Sequence, residues 1–195
     1  MVNIKHNPKS SAELKVLIIY WSATGNTEKV ANAIQKGLVS EKVTPKVIKL
    51  PEAEDVELYE YDLILLGSPS YMWHPPEPVQ DFIKKKMKYH NERGDIKPCA
   101  PKVPGKTAVV FCTYSGPHTG INEAIPVTKN MGQLFEHIGF EVAGEWHIVG
   151  EFHGHEDNST KGKLGDIRGR PNEQDLAKVE KDTSELVRSI LAARK

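Results

Sequence analysis

Residues 16–27 read VLIIYWSATGNT. An apolar, largely branched run ends in Tyr20 and Trp21 and gives way to Ser22, Thr24, Gly25, Asn26 and Thr27, with no lysine or arginine among them. Behind it, Val30, Ala31, Ile34 and Leu38 recur at helical spacing, with Gly37 near the expected end of that helix. A continuous apolar run of this length is expected where both faces of a parallel strand are covered. The stretch therefore reads strand, loop, helix.

The chemistry of the loop follows from its position. The first N–H groups of a helix have no intrahelical acceptor, and the helix dipole places partial positive charge beside them. With several hydroxyls and a glycine turn added, such a nest holds a phosphate without any cationic side chain. One Ser or Thr would be an ordinary N-cap; five such residues in a stretch of six favour an anion site.

Working outward, the same alternation recurs. PKVIKL (45–50), DLILLG (62–67), KTAVVFCT (106–113) and EVAGEWHIVG (141–150) read as four further strands. Helices are expected around Val79, Phe82, Ile83 and Met87, entered past Pro75, Pro76 and Pro78, and around Val127, Met131, Leu134, Phe135 and Ile138. A last helix is expected from about Asn172, with Asn172 and Asp175 placed as an N-cap and its partner. Residues 88–106 lack periodicity and read as an exposed loop, as do the roughly twenty residues after Gly150, a length that suggests a functional loop. Strands alternating with helices predict an α/β fold: a parallel sheet with helices on both faces, and ligands bound at the carboxyl edge of the strands. Residues 22–27, 68–74 and 113–120 all follow strands and fall on that edge.

Length and charge narrow the partners. The 195 residues suit one domain, expected over 13–195 behind a mobile tail at 1–12. Lys plus Arg and Asp plus Glu both number 26, so no net field gathers nucleic acid or an anionic membrane. Cys99 and Cys112 lack CxxC spacing, and neither a signal-peptide core nor a membrane-length apolar run is present, so a reducing cytoplasm is the simplest home. The chain also lacks GxxxxGK[ST] and GxGxxG, which argues against a nucleoside triphosphate loop or a built-in dinucleotide cradle. Six residues beyond Cys112 stands His118, where a phosphatase of this broad fold would need arginine, and no carboxylate follows Tyr20 to serve as a phospho-acceptor.

IIYWSATGNTEKVANAI (18–34) resembles the phosphate loop of the flavodoxin family, and the likeness extends to DLILLGSPSY (62–71) and VVFCTYSGPHTG (109–120). The resemblance implies a three-layer sandwich around a five-stranded parallel sheet of order 2-1-3-4-5, with non-covalent FMN. By the same resemblance Ser22, Thr24, Gly25, Asn26 and Thr27 would bind the FMN phosphate. Ser68, Pro69, Ser70, Tyr71, Met72 and Trp73 would flank one side of the flavin ring, and Thr113, Tyr114, Ser115, Gly116 and His118 the other.

The chain departs from the electron-carrier branch of that family in two respects. Carriers usually have glycine after the aromatic of the second loop, where a peptide flips toward the reduced flavin; here Met72 follows Tyr71. A methionine is expected to resist positive φ and so to favour two-electron chemistry. Carriers also tend to be acidic, whereas this chain is balanced. TYSGPHTG is closer to the NAD(P)H:quinone oxidoreductase branch, which implies NAD(P)H as co-substrate, a quinone-like or protein acceptor, and His118 as a catalytic hydrogen-bond or proton donor. An electron carrier and a flavin-free scaffold are the alternatives. His153, His155, Glu156 and Asp157 are metal-ligand types, but they come from one segment with His147 the only nearby addition, so no metal site is expected and a solvated lid over the flavin edge is the better reading. Arg168 and Arg170 could meet a phosphate or stay solvated, with solvation favoured. Segments 88–106 and 150–171 are the expected interfaces if the chain forms a homo-oligomer.

Overall fold

The computed structural model describes residues 13–194; the tail expected at 1–12 lies outside them. Strands β1 (Val16–Tyr20), β2 (Lys46–Lys49), β3 (Leu63–Pro69), β4 (Thr107–Tyr114) and β5 (Glu141–Val149) form one sheet of order β2-β1-β3-β4-β5. All four pairings are parallel. The helices are α1 (Asn26–Ser40), α2 (Glu77–Arg93), α3 (Ile125–His137), the short α4 (Glu156–Thr160) and α5 (Glu173–Ala193). Among the described residues, no helix is long and apolar enough to cross a membrane.

The continuous apolar runs are explained by cover on both faces. Along β1, Leu17 and Ile19 pack with Val79 and Phe82 of α2 and with Val127, Met131 and Phe135 of α3. Their neighbours Val16, Ile18 and Tyr20 pack with Val30, Ile34 and Leu38 of α1 and with Val179 and Val187 of α5. Successive strand residues point to opposite faces, so a strand covered twice must be apolar at every position. The edge strand β2 is only half covered, which matches its Lys46 and Lys49 termini.

Two helix boundaries differ from the sequence reading. α2 runs on to Arg93, six residues into the expected loop, and stops at Gly94, whose φ of 78° and N–H bonds to the His90 and Asn91 carbonyls make it a left-handed C-cap. Its last turns hide from a periodicity search because their buried positions are Lys86 and His90. Gly37 lies inside α1, which continues to Ser40. A Cβ on Gly37 would sit 2.5 Å from the Glu180 carbonyl oxygen and 2.8 Å from Thr183 Cβ, so this glycine permits the close crossing of α1 and α5. At the start of α5, Asn172 and Asp175 form the expected reciprocal capping box.

Candidate functional site

The loops after β1, β3 and β4 meet at the carboxyl edge of the sheet around a cavity of about 510 Å³. Its lining includes Ser22, Thr24, Asn26 and Thr27 from the first loop, Pro69, Ser70, Tyr71 and Met72 from the second, and Thr113, Tyr114 and Ser115 from the third. Three stretches far apart in sequence are thus brought together by adjacent parallel strands.

The first loop is built around Gly25, the N-cap of α1, which takes a φ of 95° that glycine adopts at least cost. Its N–H donates to Ser22 Oγ at 3.1 Å, and its carbonyl accepts the first helical bond, from Lys29 N–H at 2.9 Å. The N–H groups of the intervening first turn are left for a ligand. Ser22 keeps its own proton free to donate, and Thr24 is exposed. Asn26 and Thr27 are differently engaged. Thr27 Oγ1 lies 2.8 Å from Thr113 Oγ1, joining the first and third loops, and Asn26 Nδ2 donates to the Glu151 carbonyl at 2.9 Å.

The second loop corrects an expectation. Tyr71 and His74 exchange N–H to carbonyl bonds of 2.9 and 3.0 Å, closing a two-residue hairpin over Met72 and Trp73. In its type I′ form such a hairpin takes positive φ at both central residues. Met72 has a φ of 47° and Trp73 of 65°, so the hairpin holds the methionine in the left-handed region in spite of its cost there. His74 Nδ1, 2.8 Å from the Met72 carbonyl, fastens the turn. Ser70 Oγ donates to the Glu123 carbonyl and Ser70 N–H to that of Thr113, while Tyr71 meets Trp21 edge-on at 5.7 Å. The aromatic tip faces outward, with Met72 81% and Trp73 52% exposed.

Trp73, Gly116 and His118 do not line the main cavity. They line an adjoining recess of about 260 Å³ that shares Ser70, Met72, Tyr114, Ser115 and Phe152 with it. His118 is exposed on a turn held by Glu123, whose Oε1 accepts from the N–H groups of His118 at 2.9 Å and Thr119 at 2.6 Å. Burial raises the phenol pKa of both Tyr71 and Tyr114, so both remain protonated at neutral pH and can donate.

Sequence reasoning did not single out Ala23, Gly150, Glu151 or Phe152 as lining residues, and placed His153 in a segment read as a solvated lid. The last four follow β5 on the same sheet edge, and the length of that loop was the available signal. Residues 150–171 fold over the site around the short α4, with Ser159 and Ile167 buried. Among the described residues, no three His, Cys, Asp or Glu side chains gather as a metal site. Arg168 pairs with Asp166, and Arg170 with Asp175 of the capping box, so neither cation is left over for a phosphate.

Comparison with known proteins agrees with this geometry. The flavodoxin family profile matches residues 18–176. A flavodoxin from Clostridium beijerinckii is 28% identical over 50% of the chain and 62% of its own length. An NAD(P)H dehydrogenase (quinone) from Archaeoglobus fulgidus is 26% identical over 72% of the chain and 83% of its own. The structure of oxidised flavodoxin 2 from Bacillus cereus superposes with a TM-score of 0.60 at 21% identity, over 88% of this chain and 99% of that one. With strand order, loop placement and a family match across most of its length in agreement, the chain belongs to the flavodoxin family.

Proposed function

We propose that the cavity holds FMN non-covalently and that the protein passes hydride or electrons from NADH or NADPH to a quinone-like or protein acceptor. The observation that carries this reading is the convergence of a cation-free helix N-terminus and an aromatic-walled slot in one cavity of about 510 Å³. That volume falls within the roughly 300–1,000 Å³ typical of cofactor pockets. When bound, FMN supplies reversible uptake of a hydride or of single electrons.

The remaining work belongs to the chain. The first-turn N–H groups of α1 and the Ser22 and Thr24 hydroxyls are suited to the phosphate. Tyr71 and Tyr114 offer aromatic faces for stacking and protonated hydroxyls. Phe152 and His153 line the cavity from the 150–171 segment. His118, beside the adjoining recess, is placed to give or take a proton from an acceptor docked there.

A second reading, a one-electron carrier that a partner protein reduces, is favoured by the hairpin at Met72. Its positive φ removes the conformational objection to a peptide turning toward the flavin. Anaerobic titration of the FMN-loaded protein separates the two. Direct bleaching of the flavin band by NADH or NADPH in a single stage is expected for the oxidoreductase. Bleaching only by dithionite, in two stages, would make the protein a carrier, and failure to retain FMN would refute both.

A further inference from the structure

We propose that Asn26 is a latch between the ligand in the cavity and the 150–171 segment, holding that segment with its amide nitrogen while its amide oxygen accepts a hydroxyl of the ligand. The proposal rests on the FMN reading and deepens it.

The orientation of the amide is fixed by chemistry. The Glu151 carbonyl can only accept, so the atom facing it at 2.9 Å is Nδ2, and Oδ1 is the acceptor left over. Asn26 is 8% exposed, and Oδ1 is buried with no hydrogen-bond partner among the described residues. Buried acceptors are nearly always satisfied. This one belongs to a residue in the cavity wall, where a ligand can supply the missing donor. A phosphate dianion brings only acceptors, so the group that suits Oδ1 is a hydroxyl, either of a polyol chain or of a singly protonated phosphate.

The other end of the latch is equally specific. A Cβ on Gly150 would lie 2.9 Å from Asn26 Nδ2 and 3.3 Å from its Cγ, so the segment begins flat against this amide and a side chain here would push the amide aside. Beyond that point the segment depends largely on its own bonds. Phe152 N–H donates to Ser159 Oγ at 2.9 Å, Ile167 N–H to the Ser159 carbonyl at 2.8 Å and Glu151 N–H to the Arg170 carbonyl at 2.8 Å. It is tied to the third loop by the bonds from Gly150 N–H to the Tyr114 carbonyl and from Lys163 N–H to the Pro117 carbonyl, both 2.8 Å, and to α5 by the Arg170–Asp175 pair. A ligand that satisfies Oδ1 fixes the amide that, among the described residues, hydrogen-bonds the segment to α1, and by linkage a docked segment improves ligand binding in return.

Amide hydrogen exchange across residues 151–171, with flavin fluorescence to report binding, tests the latch. In the wild type, saturating FMN is expected to slow exchange in this segment about tenfold. In Asn26→Ala, FMN still binds through the first-turn N–H groups, about tenfold more weakly, and exchange is the same with and without it. Gly150→Ala, which breaks the latch from the segment side, is expected to behave likewise and serves if Asn26→Ala does not fold. Riboflavin distinguishes the hydroxyl: full protection assigns the polyol chain, and its loss assigns the phosphate. Wild-type binding without protection, or protection retained in both variants, would overturn the latch alone. A wild type that does not bind FMN at all would overturn the FMN reading with it.

Discussion

Thr27, in the first turn of α1, and Thr113, near the end of β4, share a 2.8 Å hydrogen bond between hydroxyls that are almost sealed from solvent. The pair staples the first loop to the third from beneath the cavity. In Thr113→Val the Thr27 hydroxyl loses that partner, which costs about 1–3 kcal/mol for a buried group. The double variant Thr27→Val/Thr113→Val is expected to recover most of that loss, because neither group is then orphaned. Urea unfolding of the four proteins in the cycle measures the coupling. Strictly additive losses would mean that the two hydroxyls do not depend on each other.

Met72 occupies a position that the hairpin reserves for positive φ, and its side chain is 81% exposed, so little packing offsets the strain. Met72→Gly is expected to stabilise the protein by about 1 kcal/mol, the usual penalty for a non-glycine residue in the left-handed region. A thermal or urea midpoint that falls instead would indicate that methionine packing, not backbone strain, governs the turn. The same variant loosens the wall shared by the cavity and the recess, so its FMN affinity is worth measuring alongside.

Glu123 acts at one remove from the ligand. Its carboxylate gathers the His118 and Thr119 N–H groups, and its carbonyl accepts from Ser70, so one residue sets the spacing of the second and third loops. Glu123→Ala is expected to lower turnover of an added quinone on the order of 10- to 100-fold, the scale on which a misplaced positioning group acts. FMN affinity should change much less, since Glu123 lines the recess and not the main cavity. A loss confined to FMN binding would contradict the assignment of His118 to the acceptor side.

The sheet was legible because its central strands are buried on both faces, which leaves unbroken apolar runs in the sequence, and the first loop because small polar residues concentrate where a strand gives way to a helix. The end of α2 was not, since His90 and Lys86 fill positions that a hydrophobic pattern assigns to aliphatic residues. The turn at Met72 was misread because residue propensity spoke for Met72 alone, while the Tyr71 to His74 pairing that overrides it belongs to the four-residue turn as a whole. The segment after β5 reads as a lid, but that Glu151, Phe152 and His153 are the residues lining the cavity was not legible: a loop without periodicity carries no direction of its own.

His147 supplies a pH signature independent of any cofactor. It sits half-buried on β5 with Nε2 2.9 Å from Thr128 Oγ1, and burial lowers its pKa below the ordinary 6.5, with Lys129 adding to the shift and Glu145 opposing it. The unfolded chain therefore binds a proton at His147 at a higher pH than the folded protein does. Where the unfolded state binds more protons, stability rises with pH, so this contribution is complete above about pH 6.5 and is lost as pH falls through the folded-state value. His147→Gln keeps a polar group at the position without the titration. The variant is expected to lose less stability than the wild type between pH 7.5 and 5, as measured by urea unfolding at each pH. Parallel pH profiles for the two proteins would place the acid sensitivity elsewhere, and a steeper fall in the variant would reverse the assigned direction.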